Sequence, residues 1–354
     1  MFLSQPTLVH KELDLEYVYT DHDICLKGPT RLGFFSFYCN DEKESVYCPD
    51  KSSLRYLDLP NPLYINSLQG YDPNANYRHK KSKNKNLLRW ILENETIVRN
   101  FTYDFISNDG VLKDIMTSSY NDFDWNICAV KIRGKIVLAR NTVLNRIASF
   151  EKEIQIDARS EMDNKSLYVA TNLQRLITKN NNHPEFASWK EYYCFYGVFH
   201  SNIGSHGIIH AGYLDCVESQ KEMDKPFDEM KFVLIKKHNS LKLSYSSLQA
   251  YVWWSLATLA GVDKIIHAKC EQDFRVKNTN QLIVSRMLPR ERQKQLFTTL
   301  NLVLDFVKSI VKVENQYYNF YFNCTNRKLT GNMRMEPNDN IIPSWFIDGQ
   351  LPKP

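Results

Sequence analysis

Ile208-Ile209-His210-Ala211-Gly212-Tyr213-Leu214-Asp215-Cys216 decides the fold, together with Met230-Lys231-Phe232-Val233-Leu234-Ile235-Lys236-Lys237. A charged loop, Val217 to Glu229, joins the two runs. Each run is short, rich in β-branched or aromatic residues and bounded by polar ones, the pattern of a strand. The two are expected to be neighbours in one sheet. Side chains alternate faces along a strand, so Tyr213 and Asp215 point one way, as do Leu234 and Lys236. Asp215 and Lys236 are expected to form an ion pair lining a cleft, because either charge left alone in a half-buried place is costly.

Working outward, Leu32 to Cys39 reads as a first strand, and Val46 to Cys48 and Leu54 to Tyr56 as short ones. Pro60 and Pro62 end that unit. Leu87, Leu88, Ile91, Leu92 and Val98 recur at helical spacing, which predicts a helix from Leu87 to Tyr103. Trp125 to Ala139 reads as a hairpin turning at Arg133-Gly134. Asn141 to Lys179 is mixed and largely helical, and His183-Pro184 breaks it. Trp189 to Phe199 is strongly aromatic and reads as buried sheet. Beyond the central runs come a helix from Ser244 to Leu259, a strand at Ile265 to Lys269, an amphipathic helix from Pro289 to Val313 and a last strand at Tyr317 to Phe322. Trp253 and Trp254 read as core anchors. The fold class expected is α/β (mixed α+β): a single domain with mixed β-sheets flanked by helices. Its span is 31–325, between an irregular N-terminal arm, 1–30, and a loose C-terminal tail, 326–354.

A chain of 354 residues with 43% hydrophobic content can bury a sizeable core. Its formal net charge of +5 permits an acidic partner without demanding one, since basic charge must be clustered to bind nucleic acid. One such cluster is Arg78, Lys80, Lys81, Lys83 and Lys85, read as a solvated loop or as RNA-binding candidates together with Lys236. The eight cysteines form no Cys-x-x-Cys pair and read as reduced thiols of an intracellular protein. The first residues lack the basic and apolar regions of a secretory leader, and no apolar run approaches a membrane span. Ser205, His206 and Asp215 do not make a nucleophilic triad, because adjacent Ser and His point apart on a strand.

Several motifs occur in a telling order. They are Leu54-Arg55-Tyr56, Gly70-Tyr71-Asp72, Leu87 to Glu93, Ala129-Val130-Lys131-Ile132-Arg133-Gly134, Ile203-Gly204-Ser205-His206, Ala211 to Cys216, and Tyr251-Val252-Trp253-Trp254-Ser255-Leu256. Taken together, over roughly residues 30 to 325, the chain resembles the decapping exonuclease family of RNA 5′-end quality-control enzymes. The resemblance implies a nuclease-like core with a divalent-metal site built from an Arg, a Gly-x-x-x-Glu, a Glu-x-Asp pair, a Glu-x-Lys pair and a Gln.

This chain departs from that pattern at most positions. Asp109 stands at the Arg, Gln174 at the Glu, Tyr213 at the first acid of the pair, Leu234 at the Glu of Glu-x-Lys and Leu256 at the Gln. Asp215 and Lys236 survive. A rival placement puts the second motif at Phe150-Glu151, which keeps that acid; the spacing to Gly204 favours Gln174. One carboxylate, one amide and a phenol do not supply the oxygen ligands of Mg²⁺ or the charge of a two-metal site. The reading is therefore of a site without catalytic residues or metal, Asp215 being the residual metal candidate, and of no cofactor unless an active site takes Mg²⁺ or Mn²⁺.

Within the family, the pattern is similar to a catalytically degenerate fly branch. That resemblance implies a nuclear protein of the germline, chromatin-bound or perinuclear. It implies protein partners of the Rhino and Deadlock kind, and protection of nascent piRNA-precursor transcripts from 5′-end processing, degradation and termination. The alternatives are a protein-interaction scaffold without RNA contact, and a surviving metal-dependent RNA hydrolase using Glu151, Asp215 and Lys236.

Overall fold

Alternating apolar runs of this chain close into two sheets, seen here in a computed structural model. It describes residues 11–16, 18, 24–39, 45–73, 84–141, 161–180, 192–238, 244, 247–334 and 341–351. Among the described residues, ten strands form one mixed sheet. Its order is Lys11–Asp14, Lys328–Arg334, Tyr317–Asn323, Trp125–Ile132, Lys135–Arg140, Phe105–Asn108, His206–Leu214, Tyr192–Ile203, Leu26–Cys39 and Ser45–Cys48. Seven more form a second, in the order Ile65–Asn66, Arg275–Ile283, Lys264–Cys270, Phe232–His238, Cys216–Val217, Tyr56–Leu57 and Thr178–Lys179. The expected single domain of mixed sheets flanked by helices is what forms.

The main core lies between the sheets. It joins Phe105, Ile208 and Leu214 of the first sheet to Phe232, Leu234 and Ile265 of the second, with the helices Asp109–Met116, Leu248–Leu259 and Arg290–Ile310. Trp253 and Trp254 are buried in it, as expected. The outer face of the ten-stranded sheet packs on Leu87, Leu88 and Trp90 of the helix Lys85–Glu93 and on Phe346 of the helix Ser344–Asp348. Across the other sheet, Val233, Ile235 and Ile266 pack on Val169 and Leu173 of the helix Glu161–Leu176. No helix of the described residues is long and apolar enough to cross a membrane.

Four expectations are corrected. The two runs quoted first are not neighbours in one sheet. The strand His206–Leu214 belongs to the ten-stranded sheet, while Cys216–Val217 has crossed to the seven-stranded one and pairs there with Phe232–His238. Asp215 alone makes the crossing. The arm is not wholly irregular, since Lys11–Asp14 pairs with Lys328–Arg334 and the first long strand starts at Leu26. The tail likewise supplies that strand and a short helix, Ser344–Asp348. The helix expected from Leu87 to Tyr103 breaks after Glu93, resumes over Glu95–Val98 and gives way to the strand Phe105–Asn108. The hairpin is as expected: its turn carries positive φ at Arg133 (50°) and Gly134 (76°), the left-handed geometry of a tight reversal.

Candidate site at the junction of the two sheets

Because Asp215 bridges two sheets, its side chain sits where both backbones converge, and it is only 5% exposed. Oδ2 accepts the backbone N–H of Ile235 at 2.7 Å, and Lys236 Nζ lies 3.6 Å from the same oxygen. Oδ1 accepts from Gln174 Nε2 at 3.0 Å. The expected Asp215–Lys236 pair is therefore present. Alternation is what delivers it, since Lys236 shares its face with Leu234. Burial pushes the Asp215 carboxyl above its ordinary value, opposed by Lys236 and the Ile235 N–H.

Gln174 reaches the site from the helix Glu161–Leu176, and it also touches the Tyr213 hydroxyl, which donates to Gln174 Oε1 at 2.9 Å. Tyr213 and Asp215 thus point the same way, as alternation requires. Burial raises the Tyr213 phenol well above its ordinary value. Asp109 is the first residue of the helix Asp109–Met116, where the helix dipole favours an acid. Its Oδ2 accepts the Tyr213 backbone N–H at 3.1 Å, so the acid at the expected Arg position ties helix to strand. The helix is capped by Asn108, whose side chain accepts from Val111 N at 3.0 Å and donates to Asn84 Oδ1 at 2.6 Å. Replacing Asn108 with Ala is expected to cost about 1–2 kcal/mol, measured as a lower urea midpoint; an unchanged midpoint would show that the cap is idle.

Leu234 is 2% exposed within the main core, and Leu256 is partly buried against it. His206 is the buried first residue of the strand His206–Leu214, not part of the turn before it, and its Nε2 lies 2.8 Å from Asp305 Oδ1, away from Asp215, so no triad assembles. Lys85 begins a helix. Arg78, Lys80, Lys81, Lys83 and Glu151 lie outside the described residues.

Two neighbours were not singled out as site residues from sequence. Arg55 is 6% exposed and has Tyr213 and Cys216 as electrostatic neighbours; burial lowers it to about 10. Its only sequence signal was its place in Leu54-Arg55-Tyr56. His267 is opposite Lys236 on the adjoining strand and is wholly buried, its ring 5.3 Å from that of Trp253. Nothing in Ile265-Ile266-His267 marks it.

A divalent cation of the Mg²⁺ or Mn²⁺ kind requires several free oxygen ligands. Here both oxygens of the one carboxylate are engaged by N–H donors, an ammonium stands beside them, and the neighbours are an amide and a phenol. The Glu-x-Lys position is hydrocarbon. These residues do not fit such an ion. Among the described residues, no group of three or more His, Cys, Asp or Glu is placed to hold a metal.

The model of the RAI1-like PD-(D/E)XK nucleases matches residues 27–347. The chain belongs to that family. A fruit-fly relative, the decapping and exoribonuclease protein Rai1 of Drosophila melanogaster, is 20% identical over 285 residues, covering 76% of this chain and 74% of the relative. Among solved structures, Candida albicans Rai1 in complex with pU5-Mn²⁺ superposes with a TM-score of 0.78 at 17% identity, covering 96% of this chain and 98% of that one. Scheffersomyces stipitis Rai1 with (3′-NADP)⁺ and a calcium ion gives 0.76 at 14% identity, covering 96% and 99%. K. lactis Dxo1 in complex with manganese gives 0.57 at 8% identity, covering 93% and 98%. These likenesses show that the family's fold spans nearly the whole chain.

Proposed function

We propose that this chain is a non-catalytic member of the family that shields RNA 5′ ends. The observation that carries the reading is the exchange of donors at the sheet junction. Gln174, itself held by the Tyr213 hydroxyl, and the Ile235 N–H satisfy Asp215 internally, and Leu234 belongs to the core. A fold kept intact around a cleft whose acids are replaced suits binding better than hydrolysis. We further propose the setting implied by the resemblance to the degenerate fly branch. The protein acts in the nucleus, on chromatin, with partners of the Rhino and Deadlock kind, and protects piRNA-precursor transcripts from 5′-end processing, degradation and termination.

The test is an assay on 5′-monophosphate, 5′-triphosphate and capped RNAs with Mn²⁺, run beside a binding titration. Binding without product is the expected result. Product that disappears in Asp215→Asn would overturn the reading and restore a metal-dependent hydrolase, with Glu151 as a further ligand. A scaffold without RNA contact is the second reading, favoured by Asp109, which sets a negative charge where the family pattern has an Arg. Neither binding nor turnover would select it.

A further inference from the structure

The stretch from Arg275 to Lys294 carries six Lys or Arg against one Glu, a net +5. The whole chain is also +5, so this stretch, like the cluster at 78–85, is a local concentration of positive charge. It folds as the second strand of the seven-stranded sheet, Arg275–Ile283, whose outer side is paired only at its start, then a short turn of helix, Val284–Arg286, then the start of the helix Arg290–Ile310. Lys277, Arg286 and Arg290 are exposed, and among the described residues none of them makes an ion pair. On the strand itself the cations are Arg275 and Lys277, two residues or roughly 7 Å apart at about 3.3 Å per residue; Arg286 and Arg290 follow on the turn and the helix.

Two arginine–tyrosine platforms mark its ends. At one, Arg275 lies over Tyr64, 5.7 Å from the ring centre, and Tyr64 is 56% exposed. At the other, Arg292 lies 5.7 Å over Tyr120, which stacks on Tyr251 at 4.0 Å. Between them the strand presents the exposed amides Asn278 and Gln281. Its outer edge pairs only at Arg275 and Val276, with Asn66 and Ile65; from Lys277 to Ile283 it has no strand partner among the described residues.

We infer that this edge is a binding track for the body of a single-stranded RNA. Cations space along the phosphates, and bases stack on the terminal Tyr–Arg platforms, the combination by which single strands are held without sequence readout. An acidic protein segment adding a strand to the same edge would use pockets for alternate side chains, whereas the strand offers polar amides there. The track lies two strands, about 10 Å, from Lys236, so it stands whether or not a 5′ end enters the junction site.

The test is fluorescence anisotropy of the full chain with a 20-nucleotide single-stranded RNA bearing a 5′-hydroxyl, from 50 to 200 mM salt. The variants are Lys277→Glu/Arg286→Glu/Arg290→Glu and, as a charge-preserving control, Lys277→Arg/Arg286→Lys/Arg290→Lys. Three lost phosphate contacts lower the slope of log K against log salt by about 2, and the reversal variant is expected to bind at least tenfold more weakly at 100 mM. The control keeps wild-type binding, and Tyr64→Ala weakens RNA but not poly-glutamate peptide. Where the reversal lowers the unfolding midpoint, the triple Ala variant replaces it. Wild-type affinity and slope in the neutralised chain, no RNA binding by the wild type, or a poly-glutamate peptide that binds as tightly as RNA would each overturn the inference. The last would assign the edge to an acidic protein partner.

Discussion

Acidification below about pH 6.5 is expected to destabilise this protein through His210, in the middle of the ten-stranded sheet. The ring is fully buried, stacked on Phe199, with Nε2 3.0 Å from Ser201 Oγ. Burial, reinforced by His200, lowers its pKa from 6.5 to about 3. The unfolded chain takes up a proton near pH 6.5 that the native state refuses until about pH 3. In that window the unfolded state holds more protons, so stability falls as pH falls. The slope is about 1.4 kcal/mol per pH unit, summing to about 5 kcal/mol across the window. Above pH 6.5 the contribution is constant. Urea unfolding at pH 7.5, 5.5 and 4.5 measures it, and His210→Gln, which keeps a partner for Ser201 and cannot titrate, is expected to flatten the slope. Equal slopes in both proteins would remove His210 as the cause.

Removing Lys236 is expected to cost about 3 kcal/mol at pH 7, the low end for stranding a buried carboxylate, because Lys236 is itself partly exposed. The pH dependence carries the opposite sign to that of His210. Asp215 is already raised by burial, so its charged form is disfavoured and stability falls as pH rises through its folded pKa. Lys236→Met removes one of the two interactions that oppose that rise. The penalty is therefore largest at neutral pH, shrinks as pH falls through the folded pKa of Asp215, and is smallest below the ordinary carboxyl value of 3.8, where native and unfolded states both bind the proton. Asp215→Asn is expected to cost less, about 1 kcal/mol, because an amide can still accept from Ile235 and pair with Gln174 while the Lys236 ammonium, 20% exposed against 5% for Asp215, keeps access to water. Chemical denaturation of both variants at pH 7 and 4 reads the asymmetry. Equal costs for the two at pH 7 would mean that the pair is not buried as described.

What could be read from sequence follows from how local each signal is. The hairpin Trp125–Ile132 with Lys135–Arg140 declares itself by alternation and by Arg133-Gly134, all within one short stretch. The change of sheet at Asp215 does not, because one residue out of the ladder leaves the apolar pattern on both sides intact. Arg275–Ile283 went unread because Asn278, Thr279, Asn280 and Gln281 form a polar run in an exposed strand, and asparagine is a poor strand former. The strands at the ends of the chain depend on Lys11 meeting Gly331, a pairing across nearly the entire length. At the site, alternation placed Tyr213 with Asp215 and brought Lys236 to it, and motif spacing led to Gln174. Arg55 and His267 come together there only through tertiary packing.

The mutual satisfaction of Gln174, Tyr213 and Asp215 has a consequence for how this chain can change over generations. Restoring a single acid at Tyr213 would set a second carboxylate beside Asp215 and force one of them to hold a proton. Restoring one at Leu234 would bury a charge among hydrocarbon. Each step toward an oxygen-rich pocket is uphill until several are made together. The junction thus resists change one residue at a time: an acid introduced alone at Tyr213 or Leu234 meets either a like charge or hydrocarbon.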